Sequence, residues 1–278
     1  MALSIPSRRR FKLAGIVPVC IAVLLGWLIL ALLGPWLLPQ DPSEFLSDDP
    51  FASAPGALLG TDYMGRDLFS RLIDGTRMTL GMSLLATMVA HLVGVTTGIA
   101  AAARGGVLDM VFSRIAELIL SLPKIIVGLV FIAALGPSFP VLVIVTGVVY
   151  SASVFRLARS LAADVLVLDF IRVARARGES LVWILFSETL PNIFRPLLAD
   201  FALRLSFAIL FISNLSFLGL GVQPPHADWG GLVRENIAAL AQGGLAPLFP
   251  ALAIASVTIA LNLLVDAWSD DSRITLGK

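Results

Sequence analysis

The sequence predicts an all-α integral membrane protein: six transmembrane helices, a cytoplasmic helix-turn-helix loop, and both termini on the cytoplasmic side. Three observations carry this. Hydrophobic residues fill 58% of the 278 positions and charged residues only 14%, with a mean hydropathy of +0.92, whereas an ordinary soluble domain is about 25% charged. Long uncharged runs recur along the chain, and each crossing of a bilayer core of about 30 Å consumes about 20 apolar residues, so the length suits about six spans with no large soluble domain. Lysine and arginine are also divided unevenly between alternate loops.

The elements follow in order. Residues 1–12 form a basic tail with Arg8, Arg9, Arg10 and Lys12, and 13–33 is an uncharged first span. A signal peptide has an apolar region of about 7 to 15 residues, whereas this run continues through Trp27 to Gly34-Pro35-Trp36, so it reads as uncleaved. A loop at 34–77 leads to a core at 78–268. Within that core the second span runs from Met78 to Ala103. The third begins near Asp109, carries Glu117 and Lys124, and ends at the breaker pair Gly136-Pro137. The fourth covers 138–155, a charged segment follows at about 156–195, the fifth runs from Pro196 to Val222, and the sixth from Leu245 to Val265. Residues 269–278 are a tail.

Six crossings return both ends to one side, and the Lys/Arg bias names that side. The terminal side carries Arg8, Arg9, Arg10, Lys12, Arg104, Arg114, Arg156, Arg159, Arg172, Arg175, Arg177, Arg195, Arg273 and Lys278; the other has only Arg66, Arg71, Arg77 and Arg234. The termini are therefore expected in the cytoplasm, and the loops at 34–77, 136–138 and 223–244 outside. A net charge of +1 argues against nucleic acid as a partner. The single cysteine, Cys20, excludes an intrachain disulfide and reads as a small buried apolar residue.

An ionised side chain at a helix centre costs roughly 2.5 to 3.5 kcal/mol on insertion scales, so each one needs a partner, a cavity or a route to the surface. Asp200 and Arg204 share a helical face at four-residue spacing, which suits a structural ion pair or a place in a polar pathway. Glu117 and Lys124 lie two turns apart, with Pro123 offering a bend. They read either as a snorkelling acid and a separately paired lysine, or as one lined face of a pathway. Gly94 and Gly98 form a G-x-x-x-G pair, whose default meaning is close helix packing. His91 and His226 are the only histidines, too few for a histidine-rich metal centre, and no metal site is expected.

Between the fourth and fifth spans lies DFIRVARARGESLVWILFSETLPN, residues 169–192. It is too polar to insert and too apolar to be disordered. Ile171 and Ala174 favour a helix, Gly178 offers a turn, Leu181, Ile184 and Leu185 stripe the next piece, and Leu190-Pro191 is expected to stop it. The segment reads as an amphipathic element on lipid or as a docking element; a glycine turn between two short helices favours docking.

Ala174, Ala176, Gly178, Leu190 and Pro191 in this segment resemble the EAA loop of bacterial ABC importer permeases. LGTDYMGRDLFSRLIDGTRMTL at 59–80, AELILSLPKIIVGLVFIAALGPS at 116–138 and SFLGLGVQPPHADWGGLVREN at 216–236 are similar to stretches of the dipeptide, oligopeptide and nickel type of these permeases. The resemblance covers about residues 35 to 266. In the first of these stretches the family motif falls on Gly60, Thr61, Asp62, Gly65, Arg66, Asp67, Ser70 and Arg71, whose spacing also allows plain local salt bridges and helix caps. The tail keeps Asn262 and Asp266 of the family's usual ending, but Val265 and Ser269 replace its glycine and arginine.

The resemblance implies one permease subunit of a binding-protein-dependent importer in the inner membrane, carrying di- or oligopeptides, or alternatively nickel or a metal chelate. Its implied partners are a second homologous permease, two ATPases that use ATP and Mg, an extracytoplasmic binding protein and membrane lipid. No cofactor is expected on this chain itself. The residues agree on one point: no G-x-x-x-x-G-K-[ST] is present. The competing classes are an intramembrane enzyme and a stand-alone secondary transporter. The first lacks H-E-x-x-H and G-x-S-x-G, and the second lacks a recognisable internal repeat.

Overall fold

The computed structural model describes residues 7–275, with side chains over 15–268 except at 35 and 37. The side chains of the expected tails, 1–12 and 269–278, thus lie outside the described residues. Among the described residues the regular structure is helical: α1 (Ser7–Leu37), α2 (Leu68–Arg104), α3 (Gly106–Ser121), α4 (Lys124–Leu135), α5 (Phe139–Leu166), α6 (Asp169–Ala176), α7 (Leu181–Trp183), α8 (Leu190–Leu215), α9 (Trp229–Glu235) and α10 (Leu248–Thr275). Two isolated β-bridges, Phe45 with Arg66 and Thr61 with Asp67, organise the segment before α2.

Five helices are long and apolar enough to cross a membrane, and the bent pair α3 and α4 makes a sixth if it forms one broken span. The structure thus gives five or six candidate spans where the sequence predicts six, and the expected third span is not a single helix. Leu122 is extended, as a residue before proline prefers, and the two helices meet at 93° across Leu122-Pro123. Two further boundaries differ from the sequence reading. The second helix begins at Leu68 rather than Met78, and Arg71 near its start is neutralised by tertiary partners described below. Leu190-Pro191 does not stop the second cytoplasmic helix before the fifth span: a π-turn at Ile184–Thr189 runs into α8, and helix continues through Pro191 and Pro196 to a second π-turn at Ser216–Leu220. The wider π-turn lies directly before Pro191, and Pro196, inside α8, removes one more backbone hydrogen bond without ending the helix.

The chain divides into two compact units, one formed by the described residues up to Met82 with those from Ile209 onward, the other by Ser83–Ala208. In the first unit α1 packs along α10, and Trp27 Nε1 donates to Ser256 Oγ at 2.9 Å. In the second, α5 forms the centre, buried along most of its length. Helix α2 lies against it at Gly94 and Gly98: a Cβ built on these would sit 2.7 Å from the Ser151 carbonyl oxygen and 2.8 Å from that of Phe155. The G-x-x-x-G pair thus brings backbone onto backbone, as its spacing suggests.

Candidate functional site

In the first unit α9 is a hub. Trp229 is fully buried, its backbone N–H donates to Thr79 Oγ1 at 3.0 Å, its indole Nε1 donates to the Leu72 carbonyl at 3.3 Å, and its ring meets Trp27 edge-on at 5.0 Å. Seven residues cannot form a stable helix alone. Asp228 therefore matters as its cap, accepting from Gly231 N at 3.0 Å through Oδ1 and from Val222 N at 3.2 Å through Oδ2. Gly230 lies so close to the Ser213 backbone that no side chain fits.

Burial pushes the Asp228 carboxyl above the ordinary aspartate value of 3.8, against the opposing pull of hydrogen bonds from Gly231, Ser216, Val222 and Gly230. With a raised value the folded state holds a proton that the unfolded chain has released. The stability tied to this group is thus fully present below 3.8 and is lost as pH rises through the folded value. Wild type is expected to lose stability relative to Asp228→Asn as pH rises from about 4 to 7. Thermal melts of the two at matched pH check this; a gap moving in favour of wild type contradicts it.

The 59–71 motif closes on the other end of α9. Arg71 is fully buried, and its Nη1 donates to both Asp62 Oδ2 and Glu235 Oε2, the latter at 2.8 Å. Arg66 donates from Nε to Asp62 Oδ2 at 2.9 Å, and its Nη2 lies 3.8 Å from Glu235. Asp62 Oδ1 accepts from the backbone N–H groups of Met64 and Arg66. Asp67 caps α2, accepting at Oδ2 from Ser70 N at 2.9 Å and Ser70 Oγ at 2.6 Å. Thr61 Oγ1 accepts from Ala52 N. Gly60 and Gly65 take φ of +76° and +82°, and Gly65 O accepts from Leu46 N and Ser47 N. Asn236 Oδ1 accepts from Tyr63 N at 3.1 Å, completing the clasp. The local pairs and caps allowed by the spacing are present, but Arg71 also reaches 164 residues along the chain to Glu235, which the sequence reading did not single out.

In the second unit, segment 169–192 forms a helix, a glycine turn and a second helix. Gly178 has φ +83°; Glu179 N donates to Ala174 O at 3.2 Å and Gly178 N to Arg175 O at 3.0 Å. This pair of bonds is a Schellman stop, which needs the left-handed residue glycine supplies. Ser180 then caps the next helix, its Oγ accepting from Trp183 N. Ile171 and Ala174 are buried against Ile184, whereas Phe170, Val173, Ala176 and Gly178 are exposed beside Arg172, Arg175 and Arg177. Of the residues singled out in this segment, Ala176, Gly178 and Pro191 thus face outward, Ala174 is buried as packing, and Leu190 is half-buried against Ile193 and Leu197.

The intramembrane charges separate into two kinds. Asp200 and Arg204 pair at 3.1 Å, as their spacing suggests. Glu117 and Lys124 do not share a helix, because the break at Leu122-Pro123 puts them on α3 and α4. Glu117 is exposed and accepts from Arg114 Nη1 at 2.7 Å, while the Lys124 amine lies over the Tyr150 ring at 4.6 Å. Arg159 of α5 grips Asp109 of α3 with two donors, one of them Nη2 to Oδ2 at 2.6 Å. Among the described residues no cluster of His, Cys, Asp and Glu is suited to a metal ion.

Residues 94–270, more than half the chain, match the family model described as binding-protein-dependent transport system inner membrane component. The chain belongs to this family. Similar proteins include a glutathione transport system permease protein, GsiD, of Pectobacterium atrosepticum, 30% identical over 90% of this chain and 85% of that protein. A di/tripeptide transport system permease protein, DppC, of Pseudomonas aeruginosa is 33% identical over 86% of this chain and 82% of its own length. A dipeptide transport system permease protein, DppC, of Haemophilus influenzae is 28% identical over 95% of this chain and 90% of its own.

This permease is thus a multi-pass component of the inner membrane that serves an ABC importer, and its family is non-catalytic. Dependence on a binding protein and on ATPase partners comes with membership, which sets aside the stand-alone transporter and the intramembrane enzyme. The sequence reading missed Glu235, Asp228 and Trp229, although all three fall in the 216–236 stretch it quoted. The available signal was Asp228 directly before an apolar Trp-Gly-Gly-Leu run, an N-cap pattern.

Proposed function

We propose that this permease forms half of a translocation pathway with a second homologous subunit, that two ATPases act on the importer and one docks on the outward face of α6 and the Gly178 turn, and that the cargo is a di- or oligopeptide delivered by an extracytoplasmic binding protein. The observation that supports this is the division of α6 into two faces. One is buried against Ile184; the other offers Val173 and Ala176 between arginines, and Gly178 stands in open space. A small apolar knob ringed by fixed cations suits a rigid docking element, since a Schellman stop holds its end. In this reading the 59–71 clasp and α9 lie outside the cell and α6 lies in the cytoplasm, in keeping with the Lys/Arg asymmetry. The cargo follows the printed names of relatives, which specify dipeptides, tripeptides and glutathione.

Two measurements test the docking role. Cys20 is buried and is the single native cysteine, so Val173→Cys introduces one addressable thiol. It is expected to cross-link to the ATPase in the assembled importer and to react with impermeant thiol reagents only from the cytoplasmic side. Replacing Gly178 with leucine forces a branched side chain into the left-handed region, at a cost of about 1 to 2 kcal/mol to the turn. ATP-dependent uptake is expected to fall at least about tenfold while membrane insertion persists, given how steeply coupling follows geometry. Wild-type uptake in that variant removes the docking role. Titrating the cognate binding protein with dipeptides and with nickel separates the two cargo readings.

A further inference from the structure

Where α3 and α5 run together toward α6, they leave a groove with a surplus of positive charge. Arg156, Arg159 and Ser160 follow at three- and four-residue spacing on α5, so they share a face. With Phe155 they form one wall, Ser113 and Glu117 of α3 form the other, and the space between is about 430 Å³. That lies within the range of ligand pockets, about 300 to 1,000 Å³. The inner end is closed by apolar packing of Phe155 with Ala101, Ala116 and Ala152. Along α5, at 1.5 Å per residue, Arg156 and Ser160 lie about 26 and 32 Å from Phe139. This is the level at which a helix leaves a hydrocarbon core of about 30 Å.

Each acid at the groove already has its cation. Asp109 accepts from Arg159 Nε and from Nη2, the latter at 2.6 Å, and from Ser113 Oγ at 3.3 Å. Glu117 accepts from Arg114 Nη1 at 2.7 Å. The surplus charge is Arg156, which is exposed and pairs with no acid among the described residues. The grip on Asp109 uses Nε and Nη2, so Arg159 Nη1 keeps two hydrogens for a further acceptor. Two guanidinium groups and the Ser160 hydroxyl suit an anion whose oxygens accept several donors at once. The groove is also bordered by Met110 and Leu118 of α3, both exposed and apolar, one turn from Ser113 and Arg114 respectively. A soluble anion gains nothing from that border, whereas a lipid presents phosphate and acyl chain together.

We propose that this groove holds the phosphate of an anionic phospholipid of the cytoplasmic leaflet, with Arg156, Arg159 Nη1 and Ser160 as donors and the acyl chains along Met110 and Leu118. The cytoplasmic leaflet carries anionic lipid, and basic pockets between spans at this level suit its headgroups. The surplus cation disfavours the choline of a zwitterionic lipid. Helix α5 leads through Val167 and Leu168 directly into α6, so a lipid held here braces the base of the element that carries the Gly178 turn. The inference rests on the proposed orientation, with α6 in the cytoplasm, and is independent of the cargo and of ATPase docking. Labelling of Val173→Cys from one side tests that orientation by itself.

The test titrates the complete importer, stripped of lipid in detergent, with phosphatidylglycerol or phosphatidylcholine and reads bound lipid by native mass spectrometry. Arg156→Gln is expected to bind its first phosphatidylglycerol about fivefold more weakly than wild type, the effect of one arginine near an anionic surface, with phosphatidylcholine binding unchanged. Arg195→Gln, exposed on the same side but outside the groove, is expected to match wild type. No loss in Arg156→Gln, or an equal loss in Arg195→Gln, overturns the proposal. Displacement of the lipid by excess inorganic phosphate marks a site for soluble anions and overturns it as well. A second measurement covers the case in which Arg156→Gln does not assemble. Cys20 is buried, so Ser160→Cys adds one addressable thiol to this chain. In nanodiscs, with partner subunits free of cysteine, its reaction with a maleimide is expected to slow about fivefold when phosphatidylglycerol replaces phosphatidylcholine. Equal rates in the two lipids, or a thiol shielded in both by the second permease, overturn the assignment.

Discussion

Replacing Arg71 with methionine is expected to destabilise the permease by about 3 to 5 kcal/mol, the cost of leaving a buried charge without its partner. Arg71 is fully buried, and its Nη1 is the one donor shared by Asp62 and Glu235. Methionine matches its stem in length and leaves two carboxylates to divide Arg66 between them. Arg66 already holds Asp62 and stands 3.8 Å from Glu235, so it cannot satisfy both. Glu235→Gln is expected to cost less, about 1 to 2 kcal/mol, because Glu235 is partly exposed and water replaces part of what is lost. Adding Glu235→Gln to Arg71→Met should recover some stability, since one uncompensated charge is removed. Thermal unfolding of the purified complex in detergent measures all three. A loss below about 1 kcal/mol for Arg71→Met would sink the view that this clasp holds the 59–71 motif to α9.

Gly98→Leu, and Gly94→Leu beside it, are expected to force α2 away from α5. A Cβ at Gly98 meets the Phe155 carbonyl at 2.8 Å and Arg159 N at 3.0 Å; at Gly94 it meets the Ser151 carbonyl and Val154 Cβ, each at 2.7 Å. Most of these are backbone atoms of a long central helix, so no rotamer change relieves the clash. Each substitution should cost about 1 to 3 kcal/mol, and the pair together more than either, with assembly of the importer lost. Gly81, on the same helix but with open space around its Cβ position, is the control. Gly81→Ala should be neutral or slightly stabilising, because glycine in a helix gives up about 0.5 to 1 kcal/mol to alanine. Equal assembly yields for Gly98→Leu and Gly81→Ala would contradict the close approach.

Where the sequence reading and the structure part company, the cause is a partner far away in the chain. Leu68–Arg77 carries enough charge to look like loop, yet it is helix, because Arg71 is neutralised by Asp62 and Glu235 and because Trp229 binds the Leu72 carbonyl. Pro123 was legible as a bend, but composition contains nothing about a 93° turn. Leu190-Pro191 looked like a stop, and the helix runs on because the proline lies just after a π-turn. Asp200 and Arg204 were visible as a pair because their partnership is local, whereas Arg159 is 50 positions from Asp109 and offered no periodic signal.

The sequence by itself determined that this chain lives in a membrane as helices, and the order of its motifs. Hydropathy, length and Lys/Arg bias are summed over many residues and survive any error at a single one. Only the tertiary structure decided which side chains those motifs hand to one another: that Glu235 closes the 59–71 clasp, that Ala174 turns inward while Val173 turns outward, and that Arg159 grips Asp109. Burial and charge pairing depend on distances of a few ångströms between distant positions, and no local pattern encodes those.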